Sequence, residues 1–122
     1  MTIAAYPGKA TPDRLVAVRG DTTSWPFALA QSDGGPAWDL SALTLTWSAR
    51  VPGGGGVFSG SGGSGITVVS AVAGTGTIDV TPADWDGWEG SGVLDWDLQA
   101  NSAGQIRTVA YGTITVRADV TP

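Results

Sequence analysis

The chain has 122 residues, of which 42% are hydrophobic and 14% charged, and its formal net charge is −5 at pH 7. It contains neither cysteine nor histidine, which excludes disulfides, thiolate metal sites and the commonest general base of enzymes. The six basic residues are scattered along an acidic chain, which disfavours binding to nucleic acid or to anionic membranes. This length fits one domain with its own hydrophobic core.

The first 13 residues contain two prolines and one glycine among mostly small side chains, a composition typical of an extended N-terminal arm. Such arms often contact neighbouring proteins, so Tyr6 and Pro7 are candidate partner-binding residues. Residues 14–122 are predicted to form a single domain. No apolar run approaches the ~20 residues of a membrane span, and the first ten residues lack a signal-peptide pattern. We therefore expect a soluble protein that is made and used without export.

Runs rich in apolar residues predict the first two strands. In the first of them Leu15 and Ala17 alternate with Val16 and Val18, so both of its faces are expected to be partly covered. The first covers residues 14–19, and the turn pair Gly20-Asp21 closes it. The second covers residues 24–30 and places Trp25, Phe27 and Leu29 on one face. Pro26 lies inside this second strand and cannot donate a ladder hydrogen bond, so it predicts a sheet edge or a neighbouring bulge.

The clearest strand pattern of the first half covers residues 43–51, with Leu43, Leu45, Trp47, Ala49 and Val51 on one face. Residues 53–65 follow with eight glycines and three serines. Ordering so many glycines costs backbone entropy, which predicts a mobile loop. Val57 and Phe58 in its middle would either anchor the loop on the domain or contact a partner chain.

Two short strands, 66–72 and 77–80, are predicted on either side of a turn at residues 73–76. One short helical turn is predicted near residues 82–88, because Thr81 can cap it and Pro82 suits the first helical position. A β-hairpin then ends the chain, with its turn at residues 101–105. Its arms carry two apolar faces, namely Leu94, Trp96, Leu98 and Ala100 on one arm, and Ile114, Val116, Ala118 and Val120 on the other.

About eight short strands, one helical turn and no alternation of strands with long helices predict an all-β fold. The architecture that fits is an antiparallel two-sheet β-sandwich.

Six tryptophans are many for this length. Trp25, Trp47 and Trp96 lie at inward positions of their strands and are predicted to belong to the core. The other three, Trp38, Trp85 and Trp88, lie in turns, where aromatic rings could contact a protein or stack on sugar rings. A carbohydrate-binding module that uses these turn tryptophans, with Asp84 or Asp86 bonding sugar hydroxyls, is therefore the alternative function.

Five carboxylates lie close together in the sequence: Asp84, Asp86, Glu89, Asp95 and Asp97. Ca²⁺ prefers such oxygen ligands, but the spacing does not match an EF-hand loop. A glycosidase pair would need a cleft between two carboxylates, and a small sandwich offers little wall for one. Helix capping and a solvated strand face account for these residues, so we predict no metal, no cofactor and no catalytic residue.

Several short phrases occur in an order that resembles a known family. They are Gly20-Asp21, Asp39-Leu40-Ser41, the Thr-Ile-Asp-Val and Thr-Pro-Ala-Asp runs of residues 77–84, Leu-Asp-Trp-Asp-Leu at 94–98 and Tyr-Gly-Thr-Ile-Thr-Val at 111–116. Together, over residues 14–121, they resemble the immunoglobulin-like N-terminal domain of tailed-phage baseplate upper proteins and related small domains of phage tail and fibre proteins. The long glycine-rich stretch departs from the family pattern.

The resemblance implies an immunoglobulin-like sandwich that is not an enzyme and resides in a virion. Its role would be that of a tail, baseplate, fibre-attachment or head-decoration component, which assembles with other phage virion proteins and with copies of itself. Sheet edges, the arm and exposed aromatic rings would make these contacts. The candidate partner-binding residues are Tyr6, Pro7, Trp38, Phe58, Trp85 and Trp88.

Overall fold

A computed structural model describes residues 2–18, 20–50, 56–62, 65–81 and 92–117. Within these residues the chain forms strands and one 3₁₀ turn, which lies at Leu40–Ala42. The strands are β1 (Ile3–Ala5), β2 (Asp13–Val18), β3 (Thr23–Leu29), β4 (Thr44–Arg50), β5 (Gly56–Gly62), β6 (Gly65–Ser70), β7 (Thr75–Val80), β8 (Gly92–Ser102) and β9 (Gln105–Arg117). The predicted all-β class is confirmed.

The strands are hydrogen-bonded in the order β1-β3-β7-β6-β5-β4-β8-β9-β2. Two four-stranded sheets, β1-β3-β7-β6 and β4-β8-β9-β2, form the layers of a sandwich, and β5 connects them. Most neighbours are antiparallel, whereas β1 with β3, β2 with β9 and β5 with β6 pair in parallel. β1 lies at the edge of one sheet and β2 at the edge of the other. The N-terminal segment therefore contributes one strand to each layer.

The core forms where the alternating strands turn their apolar side chains inward. Trp25, Phe27 and Leu29 of β3 are buried, as are Trp47 of β4 and Trp96 of β8. The prediction that these three tryptophans belong to the core is therefore confirmed. Among the described residues no polar or charged residue is fully buried, so apolar packing provides the main stabilisation.

A bulge in the terminal hairpin ties the two layers together. The register of β8 against β9 shifts between Leu98 and Gln99, and both Val109 and Ala110 of β9 are buried there. A bulge inserts one extra residue into a strand and interrupts the alternation of its side chains. Two successive side chains can then both face the core. The carbonyl of Val109 accepts a hydrogen bond from the Tyr6 N–H at 2.9 Å, which fixes the segment after β1 against β9.

The hairpin turn itself consists of Ala103 and Gly104, with φ angles of 51° and 84°. Two consecutive positive φ angles are typical of a type I′ turn, whose twist matches that of the strands. The Asn101 side chain accepts a hydrogen bond from the Gly104 N–H at 3.1 Å. The turn therefore lies inside the predicted range 101–105, and the strands extend almost up to it.

The N-terminal segment predicted to be an extended arm contributes β1 to the sheet. Ile3 and Ala5 are buried in the core. Lys9 lies in the connection between β1 and β2. Its ammonium group donates one hydrogen bond to the Ala4 carbonyl and another, 2.5 Å long, to the Asp13 carboxylate. Its side chain is only 7% exposed.

Three further expectations differ from the structure or lie outside it. Residues 53–65 were expected to form a loop, whereas Gly56–Gly62 form β5 alongside β4. Pro26 was expected at an edge or a bulge, whereas β3 lies one strand inside the edge. The edge strand β1 pairs only with Phe27–Leu29 and begins opposite Phe27, so it has no residue paired with Pro26. The helical turn predicted near 82–88 lies outside the described residues.

Candidate binding groove

A groove with a volume of about 300 Å³ opens at one end of the sandwich. Its walls come from the segment after β1, the segment after β3 and the tip of the β8–β9 hairpin. The lining residues are Pro7, Gln31, Trp38, Ser102, Gln105 and Arg107. Two of the six, Pro7 and Trp38, are among the predicted partner-binding residues, and the fold brings them together although 31 positions separate them in the sequence.

Trp38 is held by backbone hydrogen bonds on both sides. Its N–H donates to the Leu29 carbonyl at 3.0 Å, and the Gln31 N–H donates to the Pro36 carbonyl at 2.9 Å. The turn at residues 71–74 then packs against this segment, because a Cβ at Gly74 would lie 2.8 Å from the Trp38 carbonyl oxygen. The indole of Trp38 is half-buried and packs partly on the core.

The hairpin tip forms the polar wall. Ser102 and Gln105 are the last pair of the β8–β9 ladder, and the type I′ turn fixes both side chains next to the groove. Arg107 lies two residues further along β9 and donates to the Gln105 side-chain oxygen at 3.4 Å. Gln31 on the opposite wall donates to the Ala37 carbonyl, also at 3.4 Å.

Pro7 forms the third wall, and the preceding residue holds it in place. Tyr6 is half-buried, donates its N–H to the bulge at Val109, and has the Lys9 ammonium 6.0 Å from its ring centre. A cation at this distance from an aromatic ring contributes a weak attraction. Tyr6 is not among the lining residues, and its hydrogen bond to Val109 fixes the backbone next to Pro7.

No protein-family profile matches the chain, and no curated protein matches its sequence. Among solved structures it is similar to the N-terminal domain of ORF48 of phage TP901-1, with a TM-score of 0.62 and 10% identity, over 95% of this chain and 96% of that one. The chain shares the fold of that phage domain. A weaker likeness, with a TM-score of 0.44 and 12% identity, covers 93% of this chain and 88% of the ZIG-8 IG1 homodimer chain.

Two of the predicted site residues that the structure describes, Tyr6 and Phe58, are not among the residues that line the groove. Trp85 and Trp88 lie outside the described residues. Phe58 belongs to β5, where its backbone lies opposite Ala49 of β4. The groove residues that the sequence did not single out are Gln31, Ser102, Gln105 and Arg107.

Of the acidic residues considered for Ca²⁺, Asp84, Asp86 and Glu89 lie outside the described residues. Asp95 and Asp97 stand on β8 beside a second, shallow concavity of about 160 Å³, which Ser48, Arg50 and Trp96 also line. Ser48 donates to Asp97 at 3.1 Å, and Arg50 donates to Ser48 at 3.2 Å. In the described part of the chain no three acidic side chains come close enough to hold a metal ion, and none of its helices is long and apolar enough to cross a membrane.

The outer face of the other sheet carries a carboxylate with several hydroxyl donors. Asp79 of β7 accepts hydrogen bonds from Ser24 and Thr77 at 2.8 Å each and from Thr67 at 2.5 Å. Partial burial raises the pKa of Asp79, but the three hydroxyl donors together outweigh it and hold the pKa below its ordinary value of 3.8. Donors that favour the charged form act in this direction.

This cluster predicts a pH dependence of stability. The unfolded chain takes up the Asp79 proton at a higher pH than the folded chain does. The stabilisation is therefore complete above pH 3.8 and is lost as the pH falls through the lowered folded pKa. We expect the stability difference between the wild type and Asp79→Asn to shrink in that acid range, as measured by urea unfolding at a series of pH values.

Asp95→Asn, at an exposed position on the other sheet, controls for the loss of one charge. Parallel pH curves for wild type and Asp79→Asn would contradict the prediction.

Proposed function

We propose that this protein is a non-enzymatic structural component of a tailed-phage virion that acts by assembling with other virion proteins. The observation that carries the proposal is the likeness to the phage ORF48 N-terminal domain, which extends over nearly the whole of both chains. The tail, the baseplate, a fibre attachment and the head surface are the places where such a component would reside. Its partners would be other virion proteins and further copies of this chain.

The chemistry of the chain supports a role without catalysis. The sequence contains no imidazole, the commonest general base of enzymes, and no thiol, one of their common nucleophiles. Asp95 and Asp97 lie two positions apart on one face of β8 and line a shallow surface concavity rather than opposite walls of a cleft. The groove at Trp38 contains one hydroxyl and no carboxylate among its lining residues. These arrangements suit binding better than bond cleavage.

The sheet edges support assembly. β2 is the outermost strand of its sheet and pairs on one side with β9. Val16 in the middle of β2 is 53% exposed, and Val93 of β8 is 48% exposed. Both lie opposite Thr115 of β9, one on each side, so they belong to one row on the outer face. An edge strand with exposed apolar side chains is a template for another chain.

The direct test is to locate the protein. Mass spectrometry of purified particles of the encoding phage should detect the chain, and immunogold labelling should place it on one part of the particle. Light scattering after size exclusion should show an oligomer, which Val16→Lys weakens and Thr108→Lys, an exposed position elsewhere on β9, leaves unchanged. Absence of the chain from particles contradicts the proposal, and retained binding to glycans in that case would favour a free carbohydrate-binding module.

A further inference from the structure

We propose that the groove at Trp38 is a binding site for an acidic saccharide, with a hexuronic acid unit as the recognised residue. The Trp38 indole would lie against the apolar C–H face of the sugar ring, and the Arg107 guanidinium would bind its carboxylate. This goes beyond the structural role proposed above, since a virion component can perform that role with the groove empty. The proposal depends on the size, the backbone and the side chains of the groove.

The size fits a small ligand. Sites for small molecules occupy about 300–1,000 Å³, and this groove lies at the lower end, with about 300 Å³. A protein partner in a standard interface buries a much larger, flatter surface. One sugar unit, with the rest of its chain leaving through the open side, matches the space.

The backbone around the groove disfavours an extended peptide. Peptides that join a sheet edge use unpaired main-chain groups of the host protein. Here the Gln31 and Trp38 N–H groups already donate within the domain, Ser102 pairs with Gln105, and proline has no N–H to offer. Recognition therefore depends on side chains.

The side chains match a polyhydroxylated ring. Two planar amides, one hydroxyl and one guanidinium surround one indole, and these groups donate to and accept from hydroxyls while the indole supplies an apolar surface. The bonds that Gln31 and Arg107 make within the domain are both 3.4 Å long, beyond the usual 2.7–3.2 Å for such bonds. A ligand can replace these long bonds with shorter ones at little cost.

The charge of the groove selects an acidic sugar. Arg107 is the one charged residue that lines it, and within the described part of the chain Arg107 forms a hydrogen bond to Gln105 but no ion pair. Guanidinium binds carboxylate through two parallel hydrogen bonds, which gives both strength and orientation. Although the chain carries a net charge of −5, screening limits that field to about 10 Å, so the nearest charge dominates.

The test is an NMR titration of the full chain with methyl β-glucuronide, methyl β-glucoside and N-acetylaspartate N-methylamide. The expected result is a saturable shift of the Trp38 indole and Arg107 signals with the glucuronide, and binding at least about tenfold weaker for the uncharged glucoside, the effect of one charge-assisted contact. Arg107→Gln should remove this preference. Arg117→Gln is the matched control, since Arg117 is exposed on the same strand about 30 Å away at ~3.4 Å per residue.

Trp38→Ala should abolish binding of both sugars, because the indole supplies the apolar surface for the ring, and a second variant keeps the result interpretable if Trp38→Ala does not fold. Gln31→Ala alters an exposed side chain and should weaken binding of both sugars without changing their order. Stronger binding of the aspartate derivative would overturn the proposal in favour of a peptide ligand. No saturable shift with either sugar, or an unchanged preference in Arg107→Gln, would also overturn it. None of these outcomes bears on the structural role proposed above, which the detection of the chain in purified particles tests separately.

Discussion

Gly112→Ala is expected to lower the free energy of unfolding by more than about 3 kcal/mol, the upper part of the range for overpacking. Gly112 lies in β9 between Asp13 of β2 and Trp96 of β8. A Cβ at this position would lie 1.8 Å from the Asp13 carbonyl oxygen and 2.7 Å from its carbonyl carbon and nitrogen. The colliding atoms are backbone, so relief requires β2 to move away from β9.

Such a movement would also break a contact that crosses the glycine. The Trp96 indole N–H donates to the same Asp13 carbonyl at 3.3 Å. Loss of this contact should change the near-ultraviolet circular dichroism of the variant. Urea unfolding measures the stability, and Gly34→Ala is the control because Gly34 has a positive φ of 69° but open space around it. We expect about 1 kcal/mol for the control. Equal losses at Gly112 and Gly34 would show that β2 does not lie against Gly112.

The alternation of residues was sufficient to predict most strands and their buried faces. Trp25 and Phe27 in β3 are buried as the period of two requires. In β2 both faces were expected to be partly covered, whereas Leu15 and Ala17 are buried and Val16 on the opposite face is 53% exposed. The pattern works because a strand with one wet and one dry face has a single register that buries its apolar side chains. Those same residues could not reveal that β2 pairs in parallel with β9, since partner choice depends on contacts distant in sequence.

β5 illustrates where composition misleads. Glycine and serine favour a loop because ordering them costs entropy, yet Gly56–Gly62 pair with β4 and connect the two sheets. A preformed neighbouring strand offers a ladder of hydrogen bonds that a local reading of the sequence does not include. The 3₁₀ turn at Leu40–Ala42 was not predicted, because three residues are too few to show a helical pattern of apolar positions. Its only local signal is the cap, in which Asp39 accepts a hydrogen bond from the Ser41 N–H at 2.9 Å.

The groove could be predicted only in part. Trp38 and Pro7 attract attention because an aromatic ring and a proline in turns are hard to bury fully. Gln31, Gln105 and Arg107 carry no such signal, since polar residues near turns are common at every surface. What brings them together is the bulge at Val109 and the two-residue hairpin turn, and the position of a bulge is set by packing rather than by any residue type.

Phe27→Ala is expected to cost about 3–5 kcal/mol, the usual loss for removing a buried phenylalanine ring. Phe27 is 1% exposed and lies opposite Gly76 of β7. A Cβ at Gly76 would come within 2.8 Å of the Phe27 ring, so the ring fills the space that the glycine leaves. Since domains of this kind have about 5–15 kcal/mol of total stability, the loss would be a large share of it.

Two controls separate packing from a general effect of mutation. Phe27→Leu keeps part of the buried volume and should lose about 1–2 kcal/mol. Val72→Ala removes a side chain that is 78% exposed and should change stability by no more than about 0.5 kcal/mol. The slope of the free energy of unfolding against urea concentration should be the same in all three variants, because the surface area exposed on unfolding is nearly the same. A Phe27→Ala loss as small as that of Val72→Ala would mean that the ring is not part of the core, and the inward face of β3 would then have to be reassigned.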